Sequence, residues 1–158
     1  MTHTQTTTSR YMTLGALPFV SLSIGAWLVP PEALSYVYNA FITYSVVIFG
    51  FMVGAVWGAL LVESSSATDT GDSDGARLRI RNNALSISIF ASLFSMVAIA
   101  LLGVTALAMM LVAYIALPHI EKYAQIGWSR PYFEMRSKIN RTVVASHIVV
   151  LVHMVQPH

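Results

Sequence analysis

Residues 84–118 read ALSISIFASLFSMVAIALLGVTALAMMLVAYIALP, 35 residues without a charge, and the division of this run decides the fold. As one helix it would be about 52 Å long, against about 30 Å of bilayer hydrocarbon. Broken at Gly103 it gives two short spans and a tight turn, which suits glycine because it adopts positive φ without a Cβ clash. The basic residues choose between the two. They are Arg10, Arg77, Arg79, Arg81, Lys122, Arg130, Arg136, Lys138 and Arg141. A hairpin puts all of them on the side of the N-terminus, whereas a single helix moves the last five to the opposite side. Cytoplasmic loops carry the excess of Lys and Arg, so the hairpin is selected.

Outward from this hairpin the apolar runs repeat. A span needs roughly 17–25 mainly apolar residues. The spans expected are 12–29, 34–62, 84–102, 104–118 and 139–155, after a polar tail over 1–11. Pro30 and Pro31 end the first, because proline cannot continue the helical hydrogen-bond ladder. The polar segment 63–83 reads as a flexible cytoplasmic loop. Residues 119–138 mix charges with Tyr123, Trp128, Tyr132 and Phe133, the composition of an interfacial segment on the cytoplasmic side. Ser129 ahead of Arg130 and Pro131 predicts a helix from about Arg130 into the last span. The fold class is all-α: an integral membrane bundle of five transmembrane helices, N-terminus cytoplasmic. A bacterial inner membrane is the expected location and a mitochondrial inner membrane the second candidate.

Composition agrees. The chain is 56% hydrophobic and 10% charged, whereas soluble domains carry about 25% charged residues. There is no cysteine, which excludes disulfides, thiolate metal sites, iron–sulfur ligation and c-type haem attachment. The net charge of +2 does not suggest nucleic acid. No P-loop, HExxH motif or nucleophile–base set is present, so an enzyme is not expected. Asn140-Arg141-Thr142 matches a glycosylation sequon, but on a face expected to be cytoplasmic.

Within the spans, Gly50, Gly54 and Gly58 recur every four residues, so another backbone can approach that face closely. The partner is an internal helix or another subunit. Ser88 and Ser92, with Ala84 and Met96, form a similar face on the third span, suited to pairing with the second. His147 is the one ionisable residue near a span centre, and such residues are functional candidates. It serves either a quinone-like, metal or proton-handling role or, as a neutral ring, a hydrogen bond to a neighbouring Ser, Tyr or carbonyl. Tyr44 and Trp57 on the second span join it as candidate ligand-binding residues, or act as interfacial anchors. Arg77, Arg79, Arg81, Lys122, Arg130, Arg136, Lys138 and Arg141 are expected to contact anionic headgroups, at roughly 1 kcal/mol each. No metal site and no cofactor are expected; lipid or quinone remains open.

Three functions compete. The first is a non-catalytic accessory or assembly subunit of a larger respiratory or photosynthetic membrane complex, with other membrane subunits or self-association as partners. The second is a binding module for a quinone, lipid or pigment. The third is an oligomeric transporter or channel, disfavoured because no span centre carries Asp, Glu, Lys or Arg.

Two segments resemble a known family. Residues 44–58 (YSVVIFGFMVGAVWG) are similar to its tyrosine-to-glycine-x-x-tryptophan-glycine span. Residues 128–132 (WSRPY), followed by Arg136, are similar to its C-terminal tryptophan–tyrosine–arginine stretch. On these grounds the chain resembles the DUF3429 family of small multi-span membrane proteins, over roughly residues 11–152. The family often has histidine before the Trp-Gly pair, where this chain has Val56. The resemblance implies a multi-span inner-membrane protein and supplies no chemistry.

Overall fold

The computed structural model describes residues 3–66, 75–101 and 103–156. Among them the chain forms five helices: α1 (His3–Leu28), α2 (Pro31–Ser66), α3 (Gly75–Leu101), α4 (Gly103–Tyr123) and α5 (Arg130–Val155). The 35-residue apolar run is two helices. They break at Gly103, whose φ of 62° lies in the left-handed region, and then pack against each other. Four stretches are long and apolar enough to cross a membrane: Pro31–Val62, Arg79–Leu101, Gly103–Tyr123 and Arg130–Val155. In α1 the apolar part is shorter, Leu14–Leu28.

Helix boundaries differ from the sequence reading at several places; α2 starts at Pro31, and α4 runs on through Pro118 to Tyr123, into the segment read as interfacial. α1 begins at His3, within the stretch read as a polar tail. The segment read as a flexible loop over 63–83 is helical up to Ser66 and again from Gly75; residues 67–74 lie outside the described residues. A helix end stripped of apolar residues still propagates cheaply once its nucleus is formed, because each added residue gains a hydrogen bond. At α5 the expected start holds. Ser129 has extended φ/ψ at the N-cap, proline follows in the first turn, and the Phe133 amide donates to the Ser129 carbonyl at 3.1 Å.

α2 is the hub. It packs on α1, α3 and α4, while α5 closes the bundle against α1 and α4. The main core joins Phe19, Phe41, Phe49, Leu107, Tyr114 and Val143. A smaller cluster of Val56, Leu60, Ala84 and Ala124, with Ile126 and Trp128 against it, gathers the end of α2, the start of α3 and the α4–α5 connection at one end. The antiparallel packing of α1 on α2 brings the start of α1 to the same end. The basic residues are therefore carried there, on helix starts and ends around one rim.

α3 shows what solvent this fold expects. Ala84, Ser88, Ser95 and Ala98 point inward, while Ile89, Phe90, Leu93, Met96 and Val97 are exposed. Small and hydroxylated residues inside with bulky apolar residues outside is the pattern of a helix packed in lipid, where close backbone approach replaces the hydrophobic drive of water.

Candidate functional site

α5 carries the chemistry. Its buried residues are Arg136, Asn140, Val143, Ser146, His147, Val150 and His153, spaced by three and four so that they form one inward stripe. From Arg136 to His153 the stripe rises about 25 Å, and its polar members meet partners from the other helices at three depths.

At the middle lies His147, fully buried. Its Nδ1 is 2.8 Å from the Val143 carbonyl. A carbonyl only accepts, so the proton sits on Nδ1. Nε2 of the neutral ring then accepts from Ser45 Oγ at 2.8 Å. Phe41 packs on the ring edge-to-face at 4.8 Å, with Tyr114 at 5.1 Å and Phe19 at 5.8 Å. The Tyr114 hydroxyl donates to the Ser45 carbonyl at 2.8 Å. The Asn140 amide donates to the Tyr114 carbonyl at 2.9 Å, while its Oδ1 has no hydrogen-bond partner. Four groups from α2, α4 and α5 are thus joined inside an aromatic cage.

At the end opposite the basic rim, the Tyr38 hydroxyl and His153 Nδ1 lie 2.6 Å apart, with the Trp27 ring edge-on to His153 at 4.7 Å. At the basic end, Arg136 is buried. Its Nε donates to Glu121 Oε1 at 2.5 Å and its Nη2 to the Met52 carbonyl at 2.6 Å. Its guanidinium lies over the Trp128 ring at 4.6 Å, a cation–π contact strengthened by exclusion of water. This buried ion pair escaped the sequence reading because Glu121 sits just past Pro118, where the apolar run ends.

The three residues expected to bind a ligand do not converge. Tyr44 donates to the Gly15 carbonyl at 2.8 Å and packs on Phe19 at 5.0 Å, while Phe19 in turn lies 5.8 Å from the His147 ring. Trp57 is exposed on α2, about 18 Å along the helix from Ser45. What does meet His147 is Ser45, Tyr114 and Phe41, none of which sequence reasoning singled out. Asn140 and His147 lie seven residues apart on one helix stripe, and that spacing was the available signal. Among the described residues no group of three His, Cys, Asp or Glu side chains could hold a metal ion.

The packing residues also sit differently. A Cβ built on Gly50, Gly54 or Gly58 meets nothing within 4 Å. Among the described residues nothing packs against these glycine positions; α2 meets α3 through contacts that include Val56, Leu60 and Ala84. On the same outward arc, Asn39, Thr43, Val47 and Phe51 are exposed. Ser88 donates to the Ala84 carbonyl at 2.7 Å and Ser92 to the Ser88 carbonyl at 3.1 Å, so both hydroxyls bond back to their own helix rather than across to α2.

Of the residues expected at headgroups, Arg79, Lys122, Arg130, Lys138 and Arg141 are exposed, Arg130 pairing with Glu134 at 3.1 Å. Arg81 is half-buried, with Nε lacking a hydrogen-bond partner. The Arg77 side chain lies outside the described residues. Arg136 faces inward, because Glu121, the Met52 carbonyl and Trp128 together replace the water its guanidinium would otherwise hold.

No curated relative and no solved structure matches this chain. The family model for DUF3429, described as a protein of unknown function, matches residues 6–152. With nearly its whole length matched, the chain belongs to the DUF3429 family.

Proposed function

We propose that this protein is a five-span inner-membrane subunit, N-terminus cytoplasmic, that works without catalysis as an accessory or assembly component of a larger membrane complex. The single observation behind the reading is the outward glycine ladder of α2. A Cβ at Gly50, Gly54 or Gly58 would stand clear of every described residue of this chain. Asn39 and Thr43 stand exposed on the same arc, and polar side chains in a span gain most where another helix can bond them. The gathering of basic residues at one rim supports the cytoplasmic placement of that end. A helix from another subunit laid along this arc would meet backbone at the glycines and polar groups above them.

The polar interior supports the non-catalytic part. Both ring nitrogens of His147 are already engaged within the chain, so it offers less to a ligand than an unoccupied ring would.

The test is isolation of the tagged chain from its native membrane in mild detergent. The reading predicts migration with a larger complex and loss of that association in Gly54→Leu, whose Cβ meets nothing within 4 Å among the described residues. A chain that migrates alone from native membranes counts against it. A reporter active only in the cytoplasm, fused after His158, tests the orientation: activity there would overturn five crossings.

A further inference from the structure

The ion pair at the basic end holds two charges in a place built to release one of them. Arg136 and Glu121 are 4% and 5% exposed at their side chains. Arg136 lies in the second turn of α5, next to the connection carrying Trp128, and at the same end as the exposed Lys122, Lys138 and Arg141. Its long side chain can reach a membrane face from that position without the helix moving, as Arg side chains do near helix ends. Inside, three groups hold it. From α4 comes Glu121, from α2 the Met52 carbonyl, and from the connection the Trp128 ring. α3 turns Ala84 and Leu85 toward this end, with Arg81 one turn before them. Among the described residues Glu121 has no ion-pair partner other than Arg136.

Of the holding groups only Glu121 carries a full charge. A buried ion pair survives while both charges are present, and removing one strands the other. Arg cannot lose its proton in a protein. If Glu121 is neutralised, the guanidinium must find another anion. On the membrane reading, the anions offered at this end of the bundle are lipid phosphates, which bind Arg in a bidentate fashion. When Arg136 moves outward it carries with it the Trp128 ring stacked on its guanidinium, and the cluster around Ala124 loses its cover.

We propose that Glu121 and Arg136 form a releasable latch, in which Glu121 takes up a proton as Arg136 leaves it for an anionic lipid headgroup at the membrane face and gives it up on return, opening and closing the α4–α5 connection. The proposal rests on the membrane reading above and on no protein partner.

The chain has no cysteine, so one introduced at the buried Ala124 reports opening without background. Ala124→Cys in the full chain is reconstituted in bilayers of zwitterionic lipid, and its reaction with a water-soluble maleimide is timed at one fixed pH. Slow labelling is expected, rising at least about tenfold when Glu121→Gln is added. Adding Arg136→Gln to that variant removes the stranded charge and should return labelling to the slow rate, which separates release from simple misfolding. With Glu121 intact, replacing zwitterionic by anionic lipid should speed labelling, and inorganic phosphate in zwitterionic bilayers should not. Acceleration by inorganic phosphate would overturn the lipid as the competing anion. Labelling that ignores both Glu121→Gln and lipid charge, or a double variant as fast as the single one, would overturn the latch itself. Should Glu121→Gln not fold, the double variant and the lipid comparison decide alone.

Discussion

Ser45 Oγ on α2 lies 2.8 Å from His147 Nε2 on α5, a hydrogen bond between residues 102 positions apart. It ties together two helices whose backbones barely meet, since α2 spends its packing on α1, α3 and α4. The direction of the bond is set by the opposite side of the ring, where Nδ1–H is committed to the Val143 carbonyl. A histidine in a span is here a cross-brace with a defined tautomer.

Ser45→Ala leaves Nε2 buried without a donor and should destabilise the bundle by about 1–3 kcal/mol. His147→Phe keeps the aromatic packing against Phe41 and removes both nitrogens, so combining it with Ser45→Ala should cost less than the sum of the two. The coupling within spans averages about 0.6 kcal/mol. Reversible unfolding in mixed micelles measures it, and strict additivity would mean the bond contributes nothing.

Asn140 supplies a second contrast. Its amide donates to the Tyr114 carbonyl while its oxygen has no partner. Asn140→Asp of the same shape replaces the NH2 donor by a carboxyl that can donate only while protonated, and should destabilise by about 1–3 kcal/mol. Asn140→Leu removes the unpartnered oxygen as well and should cost less than the aspartate. Equal losses would show that shape, not hydrogen-bond polarity, governs the position.

Gly103 has a φ of 62° where α3 turns into α4. Any L side chain there is forced toward the left-handed region, at about 1–2 kcal/mol. Gly103→Ala should lower the unfolding midpoint, and Gly103→Asn should lower it less, because asparagine tolerates this region best after glycine. An alanine variant as stable as the parent would indicate that the turn can rearrange.

The outward glycines predict the opposite sign. At Gly54 a Cβ meets nothing, and alanine is a better helix former than glycine by about 0.8–1.0 kcal/mol. Gly54→Ala should therefore stabilise the purified monomer, while bulkier Gly54→Leu lowers its recovery with partner subunits. Thermal unfolding of the isolated chain and pull-down from native membranes read the two effects separately. Destabilisation of the isolated chain by alanine would place a helix of this same chain on the ladder.

The sequence by itself determined the order of the five helices and the apolar part of each, though not how far the helices run into their polar flanks. Apolar length, Pro30 and Pro31, the glycine at 103, and Ser129 ahead of Pro131 are local signals, and helix formation is a local event. The one-sided basic residues also chose the hairpin over a single long helix. What only the tertiary structure decided is who meets whom. Repeated glycines mark a face that admits a close neighbour, but the same pattern serves an inner or an outer face, and here it points outward. Arg136 looks like its exposed neighbours Lys138 and Arg141 until α4 brings Glu121 against it. His147 meets Ser45 only once the inward stripe of α5 is packed into the bundle. Such pairings depend on helix rotation and packing across the bundle, and residue spacing within one helix carries no record of them.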